Sequence, residues 1–160
     1  MKYCYKCGTQ LERRYLKNEG MIPYCTSCHE YVFPIFSTAC SMIVLNASQD
    51  KILLIKQYQR DAYVLVAGYI NKGESAEQCA IREIKEEVGL NVNQLRFNRT
   101  EYFSKSNTLM INFICIVDDE NFTFNEEVDE AKWFNIEEAY KNITPCSLAK
   151  KFLRNYFEHL

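Results

Sequence analysis

The sequence predicts an α/β protein: an α/β/α sandwich built on a mixed sheet, behind a small four-cysteine module. Three observations carry that expectation. Two CxxC pairs, Cys4 with Cys7 and Cys25 with Cys28, open the chain with seventeen residues between them. Apolar runs of strand length then recur from Thr38 to Asn135, bounded by turn-forming residues. Helical patterns follow Ser75 and fill the C-terminal part, and strands flanked by two helical layers make a sandwich.

Composition narrows the class. At 160 residues, 48% hydrophobic and 14% aromatic, the chain has ample material for one folded core. A net charge of −2 gives no general case for nucleic-acid binding. No run of eighteen apolar residues exists to span a membrane, and the opening MKYCYKCG lacks the apolar core of a signal peptide. The expectation is a soluble, cytoplasmic protein with no membrane partner.

The cysteine spacing falls within the interval of a zinc ribbon. In a chain without a secretory signal, cysteines read as metal ligands or free thiols rather than disulfides. Cys4, Cys7, Cys25 and Cys28 are therefore the expected ligands of a structural Zn2+, closed to chemistry because four thiolates fill its tetrahedron. The metal supplies folding energy that about 30 residues cannot raise from a core. Residues 1–33 form this ribbon, with Gly20 in the turn between two short strands, and residues 34–160 the second domain, entered at Pro34. Lys2, Lys6, Arg13, Arg14 and Lys17 only slightly outnumber Glu12, Glu19 and Glu30. Tyr3, Tyr5, Tyr15 and Tyr24 have rings able to stack on bases, although packing within so small a fold is the preferred reading. Cys40, Cys79, Cys115 and Cys146 lie singly in apolar or helical surroundings and read as buried thiols.

In the second domain, ACSMIVLN and KILLIKQY read as two strands around a turn at Ala47–Asp50, and AYVLVAG as a third that delivers Gly68. Asn91–Phe97 and Arg99–Ser104 are two weaker strand candidates. TLMINFICIV is apolar on both faces and so belongs in the middle of the sheet, and EAKWFN is a last short strand. Ile136–Asn142 reads as a helix, followed by another opened by Thr144 and Pro145 as N-cap and first-turn residues. Its apolar stripe is Leu148, Phe152, Leu153 and Tyr156.

The stretch Gly68–Leu90, GYINKGESAEQCAIREIKEEVGL, carries the chemistry. Ser75 and Gln78 form a capping box and Gly89 stops the helix. Ala76, Ala80, Ile84 and Val88 make a narrow apolar stripe, while Glu83, Glu86 and Glu87, three and four apart, crowd another side. Such like charges repel, and a hard divalent cation with oxygen ligands relieves the repulsion. Arg82 has two possible partners, Glu86 one turn on or Glu74 across the loop, and the second is preferred because it holds loop to helix.

Gly68, Glu74 and Arg82-Glu83-Ile84-Lys85-Glu86-Glu87-Val88-Gly89-Leu90 resemble the complete Nudix box. The resemblance implies a Nudix-type α/β/α fold and a phosphoanhydride hydrolase acting on a nucleoside diphosphate derivative. It also implies Mg2+ or Mn2+ at Glu83, Glu86 and Glu87, with Glu86 proposed as the base. A further ligand from outside the box is expected at Glu127, with Glu126 its rival. Ribbon, box and the phrase VAGYINKGES together resemble the NADH pyrophosphatase family, which implies NADH, NAD or ADP-ribose as first substrates and a homodimer. That family's Ser-Gln-Pro-Trp-Pro-Phe-Pro signature is replaced here by Ser104-Lys105-Ser106-Asn107-Thr108. Gly68, Tyr102 and Phe103 are the expected substrate contacts. The competing reading is a nucleotide-sensing or RNA-binding protein, including one that removes NAD caps from RNA, using the ribbon.

Overall fold

The N-terminal residues fold with almost no apolar core. In the computed structural model, which describes residues 1–159, they form a unit of their own, Met1–Phe36. Three antiparallel strands build it: β1 (Glu12–Leu16), β2 (Gly20–Cys25) and β3 (Glu30–Tyr31). Its buried cluster is Cys4, Cys25 and Val32, with Leu11 and Cys28 packed alongside, too little to stabilise a fold unaided. The tyrosines do not pack as a group. Tyr24 is buried under the Arg14 guanidinium, 3.8 Å from its ring centre, but Tyr3, Tyr5 and Tyr15 are exposed.

The second unit, Ser37–Leu160, owes its layers to strand alternation. Its elements are β4 (Ser37–Leu45), β5 (Lys51–Gln57), β6 (Val66–Tyr69), α1 (Ala76–Val88), β7 (Val92–Phe103), β8 (Thr108–Val117), β9 (Val128–Asn135), α2 (Ile136–Asn142) and α3 (Leu148–Phe157). The sheet runs β7-β8-β4-β5-β9, with β6 also paired to β4. β4 and β8 are parallel and every other pair is antiparallel, so the sheet is mixed. Cys40, Met42 and Val44 of β4 and Leu53 and Ile55 of β5 pack with Cys79, Ala80, Ile84 and Val88 of α1. The alternate residues Ile43, Leu45, Ile52 and Leu54 pack instead with Ala139, Phe152, Leu153 and Tyr156 of α2 and α3. Period-two side chains thus bury both faces of the central strands, and the α/β/α sandwich follows.

Helix α1 begins as its sequence dictates. Ser75 Oγ accepts from Gln78 N–H at 3.2 Å and Gln78 Oε1 from Ser75 N–H at 2.9 Å, so two end donors are satisfied reciprocally. At its other end Gly89 takes φ +72, and a Cβ there would meet Thr123 Oγ1 at 2.4 Å.

Four expectations need correction. Asn91–Phe97 and Arg99–Ser104 are one strand, because β7 steps its register from Phe97↔Phe113 to Arg99↔Asn112 and sets Asn98 out of the ladder. Asn98 Nδ2 donates to Asn112 Oδ1 and to Phe152 O, which accounts for the bulge. The cap of α3 is Ser147, whose Oγ accepts from Lys150 N–H at 3.0 Å; Thr144 donates its hydroxyl to Tyr63 O instead. Cys146 is exposed, whereas Cys40, Cys79 and Cys115 are buried. Finally, the strand expected over AYVLVAG is confined to Val66–Tyr69.

Ile84 is fully buried at the contact of α1 with the sheet. Ile84→Ala should cost about 2–5 kcal/mol, read as a lowered urea midpoint.

Candidate active site

The apolar stripe of α1 decides where its acids go. Because Ala80, Ile84 and Val88 seal against the sheet, Glu83 and Glu87 emerge along the edge of that contact and Glu86 further into solvent. Glu83 keeps 13% of its side-chain surface exposed and Glu86 55%. Glu83 lies directly on Gly68 of β6: a Cβ at Gly68 would fall 1.9 Å from the Glu83 carboxyl carbon. The glycine is required by this close approach.

Arg82 takes both of the partners weighed for it. Its Nε and Nη2 grip Glu74 Oε1 and Oε2 at 2.7 and 3.0 Å, while Nη1 reaches Glu83 Oε1 at 2.7 Å and Glu86 Oε2 at 2.9 Å. Nη2 also donates to Tyr69 O at 3.2 Å. One guanidinium therefore ties the loop before α1, the end of β6 and two acids of the helix into a single cluster. The bond from Arg82, with the Asn71 N–H donating to the same carboxylate, holds Glu74 down at about 2.

Glu87 is in a different environment. It is 3% exposed, and Gln57 Nε2 donates to its Oε1 at 2.9 Å, but Oε2 is buried with no hydrogen-bond partner. Burial pushes its carboxyl up to about 8, opposed by the Gln57 bond and reinforced by the charges of Glu83, Glu127 and Glu86. A buried carboxylate oxygen without a donor is costly. A hard divalent cation is one group able to satisfy it.

The fourth acid arrives on the segment between β8 and β9. Thr123 N–H donates to Val88 O and Asn125 N–H to Glu87 O, so this segment is tied to the C-terminal end of α1. The absent Cβ of Gly89 leaves room for Thr123. Glu127 follows, and its Oε2 accepts from Tyr58 Oη at 3.1 Å.

Together Gly68, Arg82, Glu83, Glu86, Glu87 and Glu127 line one cleft of about 500 Å³. Glu126 does not line it, nor do Tyr102 and Phe103, which sit at the C-terminal end of β7 opposite Leu109 and Thr108. There β7 turns into β8 through Ser104–Asn107, and Tyr102 Oη donates to Asn107. Tyr69 and Tyr58, both exposed, are the aromatic residues in the cleft. Gln57, Tyr58 and Asn125 escaped sequence reading because their roles depend on strand pairing rather than on any local pattern.

The oxygen-only donor set of four carboxylates suits a hard divalent cation. In the N-terminal unit the Sγ atoms of Cys4, Cys7, Cys25 and Cys28 all lie within 4.8 Å of one another, with Cys7 and Cys25 at 3.5 Å and Cys4 and Cys28 at 4.0 Å. Tetrahedral zinc with bonds of about 2.3 Å sets its sulfurs about 3.8 Å apart, so the four cysteines fit that ion. Cys28 N–H donates to Cys25 Sγ at 3.3 Å, as an outer-shell bond to a ligand should. Among the described residues this is the only cluster in which three or more His, Cys, Asp or Glu ligand atoms converge this closely.

Residues 36–156 match the model of the NUDIX domain. The chain is 30% identical over 139 residues to the NAD-capped RNA hydrolase NudC of Pseudomonas aeruginosa, covering 85% of this chain and 48% of that protein. It is 31% identical over 158 residues to the protein of the same name from Stutzerimonas stutzeri, covering 97% and 55%. The chain thus spans about half the length of the curated relatives it matches. Among solved structures, a NUDIX hydrolase from Nitrosomonas europaea superposes with a TM-score of 0.70 at 23% identity, over 99% of this chain and 92% of that one. The NUDIX domain of Shewanella oneidensis NrtR, complexed with ADP ribose, gives 0.67 at 14% identity, over 85% and 93%. At those identities the two structures establish the fold.

The raised Glu87 carboxyl makes stability depend on pH. Between its ordinary value of 4.5 and about 8, the metal-free folded state holds one proton more than the unfolded chain. Stability should therefore fall as pH rises through that window, by at most about 1.4 kcal/mol per pH unit. Urea denaturation in chelator at several pH values reads this slope, and Glu87→Gln should flatten it.

Proposed function

The chain belongs to the NUDIX domain family, and from that premise we propose that it hydrolyses a phosphoanhydride bond in a nucleoside diphosphate joined to a second moiety, with NADH, NAD or ADP-ribose the first substrates. The observation that carries this reading is the convergence of Glu83, Glu86, Glu87 and Glu127 on one cleft, with a buried Glu87 oxygen left without a partner. The names of the matching relatives, NAD-capped RNA hydrolases, point to the same substrate class.

Phosphoanhydrides resist water because their own charge repels a nucleophile, and Mg2+ or Mn2+ at the four glutamates supplies the opposing charge. The chain's residues do the rest. Arg82 holds Glu83 and Glu86 in register with the loop through Glu74. Glu86, the most exposed of the three helix acids, accepts the proton of the attacking water, whose oxygen forms the new bond to phosphorus. The bridging oxygen leaves with the electron pair of the old bond. Gly68, which lines the cleft beside Glu83, is the backbone contact for the substrate, and the Tyr69 and Tyr58 rings offer stacking faces.

In this reading Zn2+ sits at Cys4, Cys7, Cys25 and Cys28 and holds the N-terminal unit folded. The protein works as a cytoplasmic homodimer, as the resemblance to NADH pyrophosphatases implies. Among the described residues no helix is long and apolar enough to cross a membrane. A second reading, in which the ribbon holds RNA or the second unit senses a nucleotide without cleaving it, draws on the exposed Tyr3, Tyr5 and Tyr15. Binding that weakens steeply with salt and no turnover would favour it.

With Mg2+, NADH should be cleaved to AMP and a nicotinamide mononucleotide, detected by chromatography; a full panel of dinucleotides and nucleoside diphosphate sugars left intact would reject the enzyme. Glu86→Ala should lower kcat about 10²- to 10⁴-fold with little change in KM. A strong chelator should collapse the NMR signals of residues 1–36 while those of the second unit persist.

A further inference from the structure

At the end of β5, where it pairs with β9, the ladder slips. Lys56 faces Glu130, but Gln57 faces Val128, so Asp129 is the extra residue of a bulge. Immediately after it, Tyr58 and Gln59 both adopt left-handed backbone, at φ +55 and +57, a conformation that bulky residues rarely take and that persists only where the surroundings enforce it. The enforcement is visible. The bulged Asp129 accepts the Gln59 N–H on its Oδ2 at 2.6 Å.

This irregular turn has one evident product. It aims two consecutive side chains at two different acids of the cleft: Gln57 Nε2 donates to Glu87 Oε1 at 2.9 Å and Tyr58 Oη to Glu127 Oε2 at 3.1 Å. Each acid has one oxygen taken by a neutral donor. On Glu87 the other oxygen is buried and unpartnered, in a side chain only 3% exposed.

We propose that Gln57 and Tyr58 are positioning residues that restrict Glu87 and Glu127 to one-oxygen ligation and thereby favour small octahedral cations over Ca2+. The inference rests on the reading that these glutamates hold the divalent cation. Mg2+ and Mn2+ accept single carboxylate oxygens and keep several coordination positions for water and phosphate, whereas Ca2+ takes six to eight oxygens and readily accepts both oxygens of one carboxylate. A hydrogen bond on Glu87 Oε1 and one on Glu127 Oε2 draw electron density from those oxygens and so disfavour bidentate binding at both residues. Anchoring the donors on a bulge, rather than on a free loop, keeps the carboxylates from turning to offer it. Outer-shell partners of this kind tune ligands they do not replace.

The test measures metal binding directly. Free Mn2+ is followed by its electron paramagnetic resonance signal in wild type, Tyr58→Phe and Gln57→Leu, with Ca2+ as competitor and turnover recorded in parallel. Circular dichroism of the metal-free variants checks their fold, and Tyr58→Phe, at an exposed side chain that keeps its ring, tests the idea if Gln57→Leu fails to fold. Each variant should bind Mn2+ about 3- to 30-fold more weakly, while Ca2+ competes as well as or better than before, so that the Mn2+/Ca2+ affinity ratio shrinks about tenfold. Variants with the wild-type ratio and affinity would overturn the inference and leave the metal reading standing. A wild-type protein that binds no Mn2+ would overturn both.

Discussion

Four carboxylates cannot share a partly desolvated cleft without something to hold them there. Mutual repulsion favours turning them apart into water, and burial of one of them raises the cost of its charge. The protein answers with a single guanidinium and a set of neutral donors. Arg82 spans Glu74, Glu83 and Glu86, Gln57 and Tyr58 take one oxygen each from Glu87 and Glu127, and the second Glu87 oxygen is buried with no hydrogen-bond partner. Much else in the second unit serves this arrangement.

The rigid parts are those that make such crowding repeatable. A sheet buried on both faces supports α1 from Ala80 to Val88, and a reciprocal capping box fixes where the helix begins. Two glycines work by what they lack. At Gly68 a side chain would occupy the space of the Glu83 carboxylate, and at Gly89 one would strike the segment that brings Glu127. Cys79 and Cys40 belong to the same support: their thiols point at the carbonyls of Tyr69 and Ala76, and burial pushes both up, so they are packing groups rather than nucleophiles. The N-terminal unit uses a different strategy, with four thiols in the place of a core.

Local pattern made most of the elements legible. The continuous apolar runs of β4, β5 and β8 and the helical stripe of α3 are local signals, and helix α2 spans the residues its sequence marks. Reading failed where a distant partner intervened. Asn98 breaks the ladder of β7 because Asn112 and the Phe152 carbonyl claim its side chain, and Thr144 is drawn from the cap of α3 by the carbonyl of Tyr63. Tyr102 and Phe103 carry plausible side chains for stacking, but their place on β7 puts them outside the cleft.

Residue spacing alone picked out the acids of the helix, the arginine among them, the two glycines and the two pairs of cysteines, because helical period, helix-stop glycine and CxxC spacing are local signals. Tertiary structure alone decided that Glu127 rather than Glu126 joins the cleft, that Glu87 is the buried member of the set, and that Gln57, Tyr58 and Tyr69 stand around it. Those outcomes depend on strand register, on one bulge, and on which way each segment faces once the sheet closes. A slip of one residue reverses the facing of every side chain in a strand, and it is the long-range packing of the sheet that prevents it.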